Sequence, residues 1–424
     1  MLRRVLLILL IVGCFQGSAL ATPIPVIVQL SPLTNINLVA QLLGGTILDS
    51  VPGVNTHLLS VPALPILSSL QLSLLGIVSI EVDNSVAIGA TPRFGVLTVP
   101  GTTPADWYKN QPGMIRIRAG EAQSYSTGAG IVVADLNSSV DVSHPALIGH
   151  MTGGYDFVAG RSGYAGTLNQ SSSGFLDQSS SGFLDQSSSG FLDQSSSGFL
   201  DNSGASLITD AAATMLDGGN PAYSHGTLCA GVIAAVAPNA AIMPLRVFDD
   251  NGSTDVFSIV KAIHYARQHG VQVINMSFGL DANYKVVQSA INAAQNANVT
   301  IVASAGNANT SVAQYPAAYS GVISVAATDN ADHKASFSNY GSSVAVVAPG
   351  VNVISAFPGG YYGLASGTSF SAPMVAAEAA LIRSLSVTGT RNKIVSSTIN
   401  VDALNPGYGG KLGSGRIDLV KAVQ

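Results

Sequence analysis

Apolar positions recur along this chain with two different periods, and the change of period divides it. Near the start, PVIVQL (residues 25–30) reads as a strand. NINLVAQLLGG (35–45) carries apolar residues at helical spacing and ends in a glycine pair, a helix stop. TILDSVPGVNTHLLSVP predicts two short strands around Pro52-Gly53. ALPILSSLQLSLLG predicts a second helix, and IVSIEVDNSVAIG a last strand. The order βαββαβ over residues 22–90 predicts a small ferredoxin-like α+β unit.

Downstream, the strands become continuous apolar runs: IVVAD ending at Asp135, VQVINMSFG, TIVASAGN, GVISVAAT and SVAVVAPG. Between and after them lie helical patterns such as DVFSIVKAIHYARQHG, YKVVQSAINAAQNANV and GTSFSAPMVAAEAALIRSL, with two short helical pieces, NKIVSSTIN and IDLVKAVQ, closing the chain. Apolar strands alternating with helices of about 12 residues predict an α/β domain with a doubly wound, mainly parallel sheet over residues 113–424. Residues 91–112, rich in Pro, Gly and Thr, read as a linker holding a processing site. Four perfect copies of QSSSGFLD span 170–201, and their serines and glycines predict a surface loop.

Composition adds limits. Of 424 residues 47% are apolar and 10% charged, and the net charge is −5. No basic stripe offers a nucleic acid a footprint. Residues 1–21 have the form of a secretory signal: Arg3 and Arg4, an apolar core over 5–12, and Ala19-Leu20-Ala21. A second reading takes Ile11-Val12-Gly13-Cys14 as a lipobox, with Cys14 lipidated and the protein anchored at the cell envelope. The other cysteine is Cys229, so signal removal leaves no intrachain disulfide.

The candidate chemistry starts at Ser369, in the first turn of an alanine-rich helix. An N-cap is the ordinary use of such a serine. A helix N-terminus also presents free N–H groups and partial positive charge to an oxyanion. A serine nucleophile needs an imidazole as base, and that imidazole needs a carboxylate to hold its tautomer. His225 begins a small-residue helix, and Asp135 ends a strand. Asn307 closes TIVASAGN, where its amide can donate to the oxyanion.

The order Asp…His…Asn…Ser, with HGTLCAG, INMSFG, SAGN and GTSFSAPMVA, resembles the subtilisin family of serine proteases. Residues 22–90 resemble that family's inhibitor-type propeptide in pattern. The resemblance implies a subtilisin-like fold and a secreted serine endopeptidase, made as a zymogen and inhibited by its own propeptide. Its catalytic residues would be Asp135, His225 and Ser369, with Asn307 in the oxyanion hole. Ser277, Phe278 and Gly279 would form the edge that pairs with an extended substrate. The small residues at 303–306 would wall a roomy apolar pocket, consistent with broad specificity. Cys229 would lie as a free thiol under the histidine. Protein or peptide substrates, a monomeric state and no catalytic cofactor or metal follow from the same resemblance.

Three departures stand out. Asp135 is followed by Leu136-Asn137 where the family has Asp-Thr-Gly or Asp-Ser-Gly, and the segment after it is about two residues long. Ala146 stands where many relatives carry a calcium-binding aspartate, which argues against that site. Leu228 replaces a second histidine. The altered turn supports an alternative of another class, a catalytically weak relative serving as a surface or binding protein.

Overall fold

The computed structural model describes residues 22–88, 93–99, 103–163, 206–208 and 222–424. The leader, Cys14 and the QSSSGFLD repeats lie outside the described residues.

The N-terminal unit consists of β1 (Ile24–Leu30), α1 (Ile36–Leu42), β2 (Thr46–Ser50), β3 (Thr56–Val61), α2 (Ser69–Leu75) and β4 (Ile77–Val82). Its strands form one antiparallel sheet in the order β2-β3-β1-β4. Asn35 caps α1 and Ser68 closes a capping box on α2, so local sequence sets both helix starts. Val26, Val28, Val39, Leu59 and Val61 form a small core of their own. The short strand β5 (Ser85–Ala87) then leaves this unit.

The stretch expected to be a linker is structured in part. Residues Arg93–Thr98 form β6, and Trp107–Asn110 turn as a 3-10 helix with Trp107 and Tyr108 buried. Strand β6 joins β18 (Tyr361–Ala365), itself hairpinned to β17 (Val353–Phe357). Proline and glycine flank this strand and dominate a reading by composition, but RFGVLT has tertiary partners that supply its hydrogen bonds.

The main sheet is built on β7 (Val132–Asn137), with β11 (Ala241–Arg246) and β13 (Val273–Met276) on its two sides. Beyond β13 follow β14 (Thr300–Ser304), β15 (Ile323–Thr328) and β16 (Val346–Pro349), every pair parallel. Two helices cross within the core, α3 (Ala222–Val236) and α6 (Thr368–Ser384), each buried almost throughout. On the other face lie α4 (Val256–Gln268), mostly buried, and α5 (Lys285–Asn296), amphipathic and half in solvent. Large side chains such as Phe370, Ile354 and Ile233 are fully covered. Each such side chain contributes about 1.5–3 kcal/mol. This layering carries the carboxyl ends of β13 and β14 to one cleft, together with the start of α6.

Candidate active site

The cleft has a volume of about 270 Å³ and is lined by Ser277, Phe278, Gly279, Ser304, Gly306, Asn307, Thr368 and Ser369, among others. Ser369 is the second residue of α6 and is 6% exposed. Its hydroxyl donates to the carbonyl of Ser277 at 3.3 Å. Four residues on, Pro373 has no N–H, so the Ser369 carbonyl lacks its usual partner within the helix. Two side chains take that place: Ser277 Oγ donates to it at 3.0 Å and Cys229 Sγ at 3.4 Å. The helix start is thereby tied to the end of β13 and to α3.

Asn307 follows β14. Its Oδ1 accepts from the backbone N–H of Thr368 at 2.9 Å and from the Thr368 hydroxyl at 2.8 Å. With the oxygen end held, the amide N–H₂ is the end left for the cleft. Phe278 packs edge-on against Phe248 at 5.3 Å between centroids, which anchors the 277–279 edge in the core.

His225 lies in the first turn of α3 and is 2% exposed. The next residue must be glycine, because a Cβ on Gly226 would stand 2.6 Å from the carbonyl oxygens of both Ser138 and Ser139. That close approach brings the imidazole against the loop leaving β7. There, Nδ1 of His225 lies 2.7 Å from Oδ1 of Asn137. Cys229, one turn further along α3, has its sulfur 3.9 Å from the same nitrogen. It is buried and free, and burial raises its thiol well above the usual range, so it stays protonated.

Here the structure corrects the sequence reading. Asp135 does not hold the imidazole; Asn137 does. Successive side chains of a strand alternate, so residues 135 and 137 share a face of β7 and differ only in how far along it they stand. The one nearer the carboxyl end reaches His225. Asp135 is buried among its strand partners and accepts from Asn275 Nδ2 at 2.8 Å and from Asn137 Nδ2 at 3.3 and 3.4 Å. Burial pushes its pKa up to about 6, and the two amide hydrogen bonds oppose that shift. Sequence reasoning missed Asn137, although the signal was available. The segment after Asp135 counts two residues too many for the family pattern. Moving the comparison by two removes the excess and sets Asn137-Ser138-Ser139 in the place of Asp-Ser-Gly.

Among the described residues no group of three His, Cys, Asp or Glu side chains is placed to hold a metal ion. Ala146, at the doubtful calcium position, is buried and donates its N–H to His144 Nδ1.

The pattern of the subtilase family matches residues 128–414. Thermitase of Thermoactinomyces vulgaris is 33% identical over 336 residues, which cover 76% of this chain and 99% of thermitase. A thermostable alkaline protease of Halalkalibacterium halodurans is 39% identical over 209 residues, which cover 47% of this chain and 58% of that protein. Among solved structures, fervidolysin from Fervidobacterium pennivorans, described as a keratinolytic enzyme related to subtilisin, superimposes with a TM-score of 0.67. That match covers 96% of this chain and 62% of fervidolysin at 22% identity, a likeness of fold.

Proposed function

The chain belongs to the subtilase family, a family of serine endopeptidases, and we propose that it is a secreted protease made as a zymogen, hydrolysing peptide bonds through an acyl-enzyme on Ser369. The observation that carries this reading is the Ser369 cleft itself. A serine at the start of α6 and an amide at Asn307 with its oxygen already engaged line it, and His225 stands one turn of α3 from Cys229, whose thiol is bonded to the Ser369 carbonyl. Ser369 Oγ attacks the peptide carbonyl while Nε2 of His225 takes its proton. The Ser369 backbone N–H and the Asn307 amide receive the negative charge that develops on the carbonyl oxygen. His225 then returns the proton to the leaving amine, and water attacks the ester by the same path in reverse. An extended substrate lies along 277–279, and the small residues at 303–306 favour broad, apolar selectivity.

The contacts of residues 22–88 support the zymogen. Ala87 and Ile88 line the same cleft as Ser369, β5 pairs with β12 (Ser253–Asp255), and Lys261 bridges to Asp49 at 2.7 Å. The Glu81 carboxylate accepts from the N–H groups of Lys285 and Val286 at 2.9 and 2.8 Å, and Asp83 accepts from Phe257 at 2.9 Å. Both acids thus cap the N-termini of α5 and α4, where negative charge is favoured. Processing falls between Ile88 and β6. Secretion rests on the leader sequence; no helix among the described residues is long and apolar enough to cross a membrane.

A second reading is favoured by Asn137. With an amide in place of a carboxylate on Nδ1 of the imidazole, the chain is a subtilase of weak catalysis whose cleft serves binding. One pair of measurements separates the two. Native protein labelled by a fluorophosphonate at pH 8, with casein cleavage and release of the N-terminal unit both lost in Ser369→Ala, supports the protease. Unlabelled mature protein, or processing that persists in that variant, rejects it.

A further inference from the structure

We infer that Asp135 is a positioning residue that acts on His225 through the side-chain amide of Asn137, so that a neutral amide fills the acid's place without reversing the imidazole tautomer. The inference rests on the protease reading above and goes beyond it, since it says how a histidine whose Nδ1 faces an amide is kept competent.

An amide in this place has two orientations, and they have opposite consequences. If it turns its N–H₂ toward the imidazole, Nδ1 must accept, the ring proton moves to Nε2, and the base is lost. In another serine protease fold that exchange of acid for amide costs about 10⁴ in kcat for this reason. Here two neighbours select the other orientation. The backbone N–H of Ser138, which can only donate, lies 2.9 Å from Asn137 Oδ1. The Asp135 carboxylate, which can only accept, lies 3.3 and 3.4 Å from Asn137 Nδ2. A flipped amide would set N–H₂ against N–H and oxygen against carboxylate in a buried site, leaving both unsatisfied.

Asn137 Oδ1 therefore faces His225 Nδ1 at 2.7 Å, and Nδ1 must carry the proton. A neutral imidazole protonated there has its lone pair on Nε2, the atom that deprotonates Ser369. The hydrogen bond to a carboxylate also polarises the amide and enriches Oδ1 in electron density, which favours the imidazolium formed in the reaction. Asp135 is itself held by Asn275 Nδ2 at 2.8 Å, and the same nitrogen donates to Ser277 Oγ at 2.9 Å. Ser277 in turn holds the carbonyl of Ser369. One buried carboxylate thus anchors both the base and the start of the nucleophile's helix.

The test compares Asp135→Leu, which removes the acceptor, with Asp135→Asn, which keeps one acceptor oxygen. Both are made in the native chain and with Asn137→Asp. On a chromogenic peptide at pH 8, Asp135→Leu should lower kcat at least 100-fold with KM within three-fold, and Asp135→Asn should recover at least ten-fold of that loss. With a carboxylate at 137 the penalty of Asp135→Leu should shrink at least ten-fold. Equal penalties in the two backgrounds, or a loss confined to KM, would overturn the inference. A second readout needs no turnover. In the full chain carrying Ser369→Ala and ¹⁵N-histidine, the nitrogen shifts of His225 should report the Nδ1–H tautomer. Adding Asp135→Leu should move the proton to Nε2, and an unchanged tautomer rejects the proposal. If neither the native nor the Asn137→Asp chain hydrolyses any peptide, the protease reading fails, and the tautomer result still decides this one.

Discussion

Nδ1 of His225 and Oδ1 of Asn137 lie 2.7 Å apart, and this contact occupies the place where a serine protease ordinarily has an imidazole on a carboxylate. The nearest acid of β7, Asp135, meets the imidazole only through the amide between them.

Asn137→Asp should therefore raise kcat, by between about 10-fold and about 10³-fold, because a full charge then steadies the imidazolium. KM should change little, since residue 137 lies behind the base and away from the 277–279 edge. The new carboxylate would face Asp135 at the distance the amide now has, and two acids so close do not both ionise readily. The acid limb of the pH–rate profile should accordingly move to higher pH. Initial rates on a peptide anilide between pH 5 and 10 check both effects.

Asn307→Ala should lower kcat by about 10²–10³ with little change in KM, since an oxyanion donor acts on the transition state alone. The Thr368 N–H and hydroxyl would lose their shared acceptor as well. Thermal unfolding measured on the same sample separates the catalytic loss from that structural cost.

Glu378 sits inside α6, fully buried, and neither carboxyl oxygen has a hydrogen-bond partner among the described residues. Burial, and then the charge of Asp418, holds its pKa well above 4.5. The folded chain thus keeps this proton to higher pH than the unfolded chain does, and stability falls as pH rises above about 4.5. Glu378→Leu should raise Tm by several degrees at pH 8, with the gain shrinking toward pH 4. Calorimetry across that range is the check; a gain independent of pH would contradict it.

Glu81→Ala should loosen the N-terminal unit. It removes two charge-assisted hydrogen bonds at the start of α5, a loss of about 1–2 kcal/mol at a partly exposed helix end. Processing itself should be unaffected, because Glu81 lies outside the Ser369 cleft. The lag between cleavage and the appearance of protease activity should shorten several-fold, as followed by a fluorogenic peptide during maturation.

Much of this was legible in the sequence. The helix of Ser369, the strand before Asn307 and the start of α3 at His225 announce themselves through apolar period and small-residue runs. Those signals are local, and they persist because strand and helix periodicities are set by backbone geometry. Strand β6 was not legible, since its hydrogen-bond partners lie more than 100 residues away at Ser206–Ile208 and more than 250 away at β18. The acid was misread for a related reason. Asp135 and Asn137 take the same side of the same strand, so strand periodicity does not tell which one stands beside His225; only the two-residue excess after Asp135 marked it.

By itself, then, the sequence determined the fold class and the family, and it named Ser369, His225 and Asn307 as the candidate nucleophile, base and oxyanion amide. Only the tertiary structure decided which residue touches the imidazole. Local pattern records which face of a strand a side chain takes. The position along that face is decided by how closely a neighbouring helix approaches, here through Gly226 against Ser138 and Ser139. That approach selects Asn137 for the histidine and leaves Asp135 one step behind it.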